Sequence, residues 1–295
     1  MRDGRPELEH GSRFAGHVVE DVLGRGGMGD VYRATREQDG RPVALKLLPA
    51  ELGGEEGYRR RFARESRLAA SLSHPHLVRV LGSGDQDGTL WIAMELVEGE
   101  DLGSVLAGGA AIHPGHAARI VAQVGGGLDA AAAEGLVHRD VKPANVFVAT
   151  RDDAPHAHLG DFGLTKATDS QSGITATGKF LGTIGYAAPE QIQAEQIGPA
   201  TDVYSLGALL FRALTGGLPF PRPRPIAVAM AHITEPPPRP SQAGPGCPDA
   251  LDDVVGRAMA KDPADRYASA GELGQAAVAA AADAGVPPPW PNRTS

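Results

Sequence analysis

The sequence is poor in the features that mark secreted, membrane-embedded or nucleic-acid-binding proteins. It has one cysteine, Cys247, which excludes an intrachain disulfide and a cysteine-cluster metal site and indicates a reducing compartment. No apolar run reaches the roughly 18 residues of a membrane span, and the charged N-terminus lacks the apolar core of a signal peptide. With 28 basic and 36 acidic residues the net charge is -8, which argues against binding to a nucleic-acid backbone.

What the sequence contains predicts a soluble globular protein with two parts of different character. Hydrophobic residues make up 42% of the 295 residues, and charged residues 22%. Residues 1–12 are polar and are predicted to be disordered. Residues 13–98 alternate short strands with glycine turns around one basic amphipathic helix, whereas residues 99–282 read mainly as helices, and a Pro-rich tail or linker follows at 283–295. We therefore expect an α+β protein with a small antiparallel-sheet lobe and a larger helical lobe, whose cleft is the default ligand site.

A glycine-rich turn joins the first two long strands. Gly24, Gly26 and Gly29 form G-x-G-x-x-G, with Val31 after them, and such glycines let backbone N–H groups approach phosphate oxygens. The motif alone is weak, since an ordinary glycine-rich hairpin has the same appearance. A dinucleotide-binding fold would need a helix directly after the first strand, and here a second strand follows.

Lys46 lies in "VALK" on the next strand, between apolar residues. It could be a solvated edge charge, but apolar flanks favour an ammonium that needs a counter-ion. Glu65, midway along the amphipathic helix, is the candidate for that partner, although it could also be one more helix-surface charge.

The stretch "VHRDVKPANVFV" (137–148) carries five polar or charged groups between short apolar runs. A charged loop held by a buried strand is a common location of catalytic groups. About twenty residues later comes D-F-G with Asp161, then A-P-E at 188–190, and then "TDVYSLG" and "KDPADRY". Each motif alone is modest evidence, but the ordered series is not a chance assembly.

This series resembles the eukaryotic-like (Hanks-type) serine/threonine protein kinases of bacteria, from about Phe14 to about Ala280. The resemblance implies a bilobal protein-kinase fold in a single domain at 13–282. It also implies transfer of the ATP γ-phosphate to Ser or Thr hydroxyls of proteins, with Mg²⁺ or Mn²⁺ as the metal. Three glycines at 125–127 depart from what the central helix of the helical lobe favours, since each costs roughly 1 kcal/mol relative to Ala.

The resemblance assigns roles in catalysis to matching positions. Asp140 would accept the proton of the substrate hydroxyl, Lys142 would contact the γ-phosphate, and Lys46, paired with Glu65, would bind the other phosphates. Asn145 and Asp161 would hold the metal. The ATP-binding positions are Leu23, Gly24, Gly26, Gly29, Val31, Ala44, Lys46, Met94, Glu95, Val97 and Phe147.

The resemblance also implies a supporting set of residues. His138 would brace D-F-G, Thr183 would hydrogen-bond near the catalytic loop, and Asp202 would cap that loop's backbone. Glu190 would pair with Arg266. Thr175 and Thr177, in a Ser/Thr-rich segment, are the expected autophosphorylation sites, with Arg139 as the phosphate's partner and a homodimer as the means of phosphorylation in trans.

Two other functions fit parts of the pattern. A pseudokinase scaffold would keep the fold without the chemistry, but Lys46, Glu65, Asp140, Asn145 and Asp161 are all intact. A small-molecule phosphotransferase of the antibiotic-kinase type would lack the D-F-G to A-P-E segment. The expected location is the cytoplasm, either as a soluble kinase or as the cytoplasmic fragment of a membrane receptor kinase.

Overall fold

The structure is a computed structural model that describes residues 7–27, 29–49, 56–161, 184–244 and 246–290. The chain divides into two compact units. The described part of the N-terminal unit comprises residues 7–73 and 78–97, apart from the gaps already given. The C-terminal unit comprises 74–77 and the described residues from 98 onwards.

An antiparallel sheet of six strands, in the order β1-β2-β3-β4-β6-β5, forms the N-terminal unit. Successive strands pair as antiparallel hairpins, except that β4 pairs with β6 and β5 lies at the edge beyond it. The strands are β1 (Arg13–Phe14), β2 (His17–Gly26), β3 (Gly29–Arg36), β4 (Pro42–Leu47), β5 (Val80–Gln86) and β6 (Thr89–Glu95). Among the described residues of this unit, one helix is present: α1 (Glu56–Ser71), which buries Tyr58, Phe62, Ser66 and Ala69.

The two faces of this sheet carry different side chains, because residues alternate between faces along each strand. One face holds the apolar core of the unit, which includes Tyr32, Ala34, Val43, Leu45, Leu47 and Ala93. Cross-strand pairing of Val31 with Lys46 and of Ala44 with Met94 places these four residues together on the opposite face. The sheet therefore presents four predicted nucleotide-binding residues on the face away from its core.

The C-terminal unit is mainly helical. Its long central helices, α3 and α5, are apolar enough to be buried over most of their length. The helices are α2 (Leu102–Val105), α3 (Pro114–Ala133), α4 (Pro189–Ile192), α5 (Pro199–Thr215), α6 (Pro225–Thr234), α7 (Pro240–Ala243), α8 (Ala250–Ala258) and α9 (Ala270–Ala280). No helix among the described residues is long and apolar enough to cross a bilayer.

A second, three-stranded sheet lies in the C-terminal unit. It consists of β7 (Glu100–Asp101), β8 (Val146–Arg151) and β9 (Ala154–Leu159), in that order. Asp152 and Asp153, both with positive φ, form the two-residue turn between β8 and β9, the conformation that a tight hairpin requires. The pairing of Val146 with Leu159 lies at the end of this hairpin opposite the turn. The predicted metal-binding residues, Asn145 and Asp161, lie just outside this pair in the sequence.

Two of the three glycines of α3, Gly125 and Gly127, have a packing role. A Cβ at Gly125 would lie 2.4 Å from the carbonyl oxygen of Ala270, and one at Gly127 would lie 2.7 Å from Leu77 Cδ2. At Gly274 on α9 a Cβ would lie 2.5 Å from Cα of Ala122. The glycines thus permit the backbones of α3 and α9 to approach closely, which outweighs their cost in helix propensity.

Residues near both ends of the described chain make hydrogen bonds to the rest of their units. In the predicted disordered N-terminus, Gly11 N–H donates to Val19 O (2.8 Å) and Val19 N–H donates to Ser12 O (2.9 Å). These bonds extend the pairing of β2 to residues 11 and 12, and disorder of the N-terminus remains a prediction. In the Pro-rich tail, Trp290 is buried and its N–H donates to Asp153 O at 2.8 Å. Burial of a large aromatic side chain fixes this part of the tail against the C-terminal unit.

Candidate active site

Asp140 lies in a loop between α3 and β8 and is 5% exposed. Its Oδ2 accepts a hydrogen bond from Lys142 Nζ at 2.8 Å and another from Asn145 Nδ2 at 3.1 Å. Asn145 Nδ2 also donates to the Asp140 carbonyl oxygen at 2.8 Å. Three of the predicted catalytic and metal-binding side chains are thus brought together, with the carboxylate oriented by an ammonium and an amide.

The side chain of Asp202, near the start of α5, binds the backbone of this loop. Its two carboxylate oxygens accept the N–H groups of His138 (2.7 Å) and Arg139 (2.8 Å). Burial raises the pKa of Asp202, and those two N–H donors together with the nearby His138 and Arg139 oppose the rise. Arg139 has φ +64°, a left-handed conformation that a non-glycine residue keeps only when its surroundings hold it.

The peptide that links Arg139 to Asp140 is held at both of its polar atoms. Asp140 N–H donates to His138 Nδ1 (3.3 Å), and Arg139 O accepts from Gln191 Nε2 (2.9 Å). His138 Nε2 donates in turn to Gly160 O at 2.9 Å, which connects the loop to the residue before Asp161. The sequence predictions omit Gln191. One signal was available in the sequence. Ala188, just before α4, has no side chain that can cap the helix, so the side chain of a Gln three residues later is expected to accept the backbone N–H of Ala188.

Asn145 and Asp161 flank the same end of the β8–β9 hairpin. Gly160 N–H donates to Asn145 O at 2.9 Å, which places the two predicted metal-binding residues on adjacent chain segments. Asp161 has φ +54° and is partly exposed. A non-glycine residue keeps this left-handed conformation only when its surroundings hold it.

The donors present here fit a magnesium ion that is held mainly by phosphate. Because Asn145 Nδ2 faces Asp140, its Oδ1 is the amide atom left for a cation, and Asp161 supplies a carboxylate. Within the described ranges, no three His, Cys, Asp or Glu side chains are arranged to hold a metal by themselves. A magnesium site completed by substrate phosphates needs only one or two protein ligands of this kind.

The glycine-rich turn of the N-terminal unit combines one structural glycine with two that face open space. Gly29 has φ +130°, and a Cβ there would lie 2.3 Å from Leu47 O, so this position requires glycine. A Cβ at Gly24 would meet no described atom within 4 Å, and one at Gly26 would meet only Gly29 O at 4.0 Å. Packing within the described part of the chain therefore does not require glycine at positions 24 and 26. Such a pattern is expected where a ligand approaches the backbone.

The remaining nucleotide-binding positions differ in exposure. Leu23 is 50% exposed at the turn, whereas Lys46 and Met94 are 5% and 8% exposed within the sheet. Glu95 ends β6 with an exposed side chain, and its N–H donates to Arg79 O at 2.9 Å. Val97 follows the end of β6 and is half-buried; Phe147, on β8 of the C-terminal unit, is also half-buried.

Glu65 is half-buried on α1. Burial of Tyr58 raises the pKa of that hydroxyl, and the negative charge of Glu65 raises it further. The pairing of Lys46 with Glu65 remains a prediction. Thr175, Thr177 and Thr183 lie outside the described residues, and their assigned roles also remain predictions.

Glu190 and Arg266 form a buried ion pair in the C-terminal unit. Arg266 Nη1 donates to Glu190 Oε1 (2.7 Å) and Nη2 donates to Oε2 (2.9 Å), and both residues are 3% exposed. The other guanidinium N–H groups donate to main-chain oxygens of Ala260, Ala200 and Lys261. Burial opposes ionisation of Glu190, but Arg266 outweighs it and lowers the Glu190 pKa.

Comparisons with known proteins agree with this geometry. Residues 17–277 match the family model described as the protein kinase domain. The chain is 42% identical over 273 residues to the serine/threonine-protein kinase PknH of Mycobacterium bovis, covering 92% of this chain and 45% of PknH. It is 43% identical over 289 residues to PknJ of Mycobacterium tuberculosis, covering 96% of this chain and 49% of PknJ. This chain spans about half the length of these curated relatives.

Solved structures show the same fold. The crystal structure of the Mycobacterium tuberculosis PknI kinase domain matches with a TM-score of 0.75 and 34% identity, covering 92% of this chain and 98% of that domain. Rad53 in complex with AMP-PNP, at 23% identity and a TM-score of 0.69, shares the fold, with 89% of this chain and 65% of that one covered. The predicted α+β protein-kinase fold is confirmed.

The chain belongs to the protein kinase family, as a member of its serine/threonine protein kinases. Enzymes of this family transfer phosphate from ATP to protein substrates with the help of a divalent metal ion. The predicted protein-kinase family is confirmed.

Proposed function

We propose that the protein transfers the γ-phosphoryl group of ATP to Ser and Thr hydroxyls of other proteins in bacterial signalling. The observation that carries this proposal is the arrangement around Asp140, whose Oδ2 accepts from both Lys142 and Asn145. The orientation of Asp140 leaves a fixed carboxylate to receive the proton of a substrate hydroxyl. Lys142 is a cation next to that carboxylate, where it can neutralise charge that develops on the transferred phosphoryl group.

We propose that ATP binds with its adenine and phosphates at the residues predicted for them. Val31, Ala44 and Met94 share one face of the sheet with Lys46 and give the adenine an apolar surface. The open positions at Gly24 and Gly26 leave room for phosphate oxygens to approach the backbone N–H groups. Leu23, Glu95, Val97 and Phe147 complete the proposed nucleotide contacts, and Glu65 orients Lys46.

We propose Mg²⁺ as the metal, held by Asn145 and Asp161 together with the phosphates of ATP. When bound, the ion would neutralise negative charge on the phosphates. The protein's part is to hold the two oxygen ligands at one end of the β8–β9 hairpin, which the hydrogen bond between Gly160 N–H and Asn145 O does. Substitution of Asp161 by Asn should weaken Mg²⁺-dependent nucleotide binding more than binding without metal.

We also propose regulation by autophosphorylation at Thr175 and Thr177, in trans between two copies of the chain. Arg139 supports this proposal because its Nε is buried and has no hydrogen-bond partner among the described residues. A phosphate adds about -1.5 to -2 of charge and three acceptors, which suit an arginine with an unused donor. Because ATP is the phosphate donor, we place the kinase domain in the cytoplasm.

The principal test compares the wild type with Asp140→Asn. With labelled ATP, Mg²⁺ and a Ser/Thr-rich protein substrate, the variant should transfer phosphate about 10²–10⁴-fold more slowly, the usual worth of a positioned proton acceptor. Calorimetric titration with ATP should give the same dissociation constant for both proteins, because the substitution removes no proposed nucleotide contact. No transfer above background by either protein, with ATP bound, would instead identify a nucleotide-binding scaffold, and equal transfer by both would refute the role of Asp140.

The regulatory proposal is tested separately with a Thr175→Ala/Thr177→Ala double variant. After incubation with Mg²⁺ and ATP, mass spectrometry should find phosphate on these threonines in the wild type only. The double variant should then have lower activity towards an added substrate, while its initial activity equals that of dephosphorylated wild type. If the double variant were as active as the wild type after incubation, regulation by these threonines would be refuted, while the proposed phosphoryl transfer would be unaffected.

A further inference from the structure

Gln191 connects two segments that the established motifs treat separately. Its Nε2 donates to Arg139 O at 2.9 Å, and its Oε1 accepts the N–H of Ala188 at 3.1 Å. The first partner belongs to the catalytic loop and the second to A-P-E, just before α4. Both functional ends of the amide are therefore used, and only a group with one donor and one acceptor can make both bonds.

The bond to Arg139 O acts on the peptide that carries Asp140. The N–H of that same peptide donates to His138 Nδ1, so its plane is held at the oxygen by Gln191 and at the nitrogen by His138. On the other side of Arg139, the preceding N–H is held by Asp202. The Arg139 backbone lies in the left-handed region at φ +64° and needs such restraints to remain there.

Without the Gln191 bond, rotation of this peptide would release strain at Arg139. The same rotation would turn the Asp140 N–H away from His138 and shift the Asp140 side chain relative to Lys142 and Asn145. None of the other hydrogen bonds described for this loop contacts Arg139 O. Gln191 thus adds a restraint at the oxygen of a peptide that His138 holds at its nitrogen.

We propose that Gln191 is a positioning residue for phosphoryl transfer, which fixes the Arg139–Asp140 peptide and ties the A-P-E segment to the catalytic loop. The proposal rests on the proposed kinase function, and it concerns the rate of the chemical step rather than nucleotide binding. It also implies that a movement of the backbone at Ala188 would displace Asp140 through the side chain of Gln191.

Gln191→Glu is the most informative substitution. Glutamate keeps an oxygen that accepts from Ala188 N–H, but it has no N–H and sets a negative oxygen against Arg139 O. The matched control is Gln193→Glu, which adds the same charge two residues later at an exposed position. Gln191→Met is a second variant, uncharged and of similar length, that removes both hydrogen bonds.

The assay measures kcat and KM for ATP and for a protein substrate, with thermal unfolding of each variant. Both Gln191 variants should have kcat reduced about 10- to 100-fold, as expected for a misplaced catalytic group, with KM for ATP unchanged. Gln193→Glu should match the wild type. A role limited to structure would instead lower the unfolding temperature or reduce the active fraction without changing kcat per active molecule.

Three outcomes would overturn the proposal. One is a kcat within about twofold of the wild type in either folded Gln191 variant, since the proposed effect is about tenfold or more. Another is an equal loss in Gln193→Glu, which would assign the effect to charge. The third is failure of both Gln191 variants to fold, which would make the residue part of the scaffold. An inactive wild type would refute the proposed kinase function itself and is distinguished by the parallel measurement.

Discussion

The three consecutive glycines of α3 should respond in opposite directions to the same substitution. Helix propensity alone predicts that each Gly→Ala change stabilises the protein by about 1 kcal/mol. The structure instead distinguishes the three positions by what a new Cβ would contact. At Gly126 the nearest atom is His74 Cε1 at 3.5 Å, an ordinary contact, so Gly126→Ala should gain roughly 0.5–1 kcal/mol.

Gly125→Ala should be the most damaging of the three. Its Cβ would lie 2.4 Å from Ala270 O, a backbone atom at the start of α9, so α9 itself must move. That helix start is fixed by Asp129, which accepts from Ser269 Oγ (2.8 Å), Ala270 N (2.9 Å) and Gly271 N (3.0 Å). Overpacking costs about 1–3 kcal/mol, and weakening one bond to a charged acceptor adds about 1.5–3 kcal/mol. After the propensity gain of about 1 kcal/mol is subtracted, we expect a net loss of about 1.5–5 kcal/mol.

Gly127→Ala should fall between the other two. Its closest contact, Leu77 Cδ2 at 2.7 Å, is the end of a side chain that can rotate, although His76 O at 3.2 Å cannot yield as easily. Urea unfolding monitored by circular dichroism would give the free energy of unfolding of each variant. The expected order of stability is Gly126→Ala, wild type, Gly127→Ala, Gly125→Ala. Equal stabilisation by all three substitutions would refute the packing argument and leave propensity as the whole explanation.

Three further predictions concern the C-terminal unit. Arg266→Met should lower the free energy of unfolding by about 3–5 kcal/mol, because it leaves Glu190 buried without its cation, and Glu190→Gln/Arg266→Met should recover part of that loss in chemical denaturation. His232 is fully buried, and burial followed by the charge of Lys261 lowers its pKa from 6.5 to about 4. Between these two pH values the unfolded chain binds a proton at His232 that the native state does not. The free energy of unfolding should therefore fall by up to about 3 kcal/mol as the pH drops from about 6.5 to about 4. Thermal melts at several pH values should show that this part of the pH dependence is missing in His232→Gln. Trp290→Ala should speed hydrogen exchange at the amide of residue 290, which donates to Asp153 O, without changing exchange in α5.

What could be predicted from the sequence depends mainly on how local the determining interactions are. The hairpins of the N-terminal sheet and the loop around Asp140 are encoded by short stretches in which turn residues, apolar alternation and polar groups are contiguous. The family resemblance then supplied roles that no short stretch could, such as that of Asp202, which lies in "TDVYSLG", 62 residues after Asp140.

The features that were missed depend on contacts between distant segments. Gln191 acts on Arg139, 52 residues away, and only the fold brings the two together. The cost of the glycines at 125–127 could be estimated locally, but its compensation comes from Ala270 and Leu77. In the tail, the burial of Trp290 depends on a partner surface that includes Asp153, whereas the surrounding prolines resemble a linker when considered alone.

The most direct test of the central claim is a single-turnover measurement with enzyme in excess over labelled ATP, stopped by acid after set times. Because substrate binding and product release are removed from the rate, the measurement reports the transfer step alone. The account predicts that the wild type moves the label onto Ser or Thr of a protein substrate in one exponential phase, and that Asp140→Asn, with ATP fully bound, is about 10²–10⁴-fold slower. Equal rates in the two proteins would contradict the assignment of Asp140 and, with it, the proposed phosphoryl-transfer mechanism.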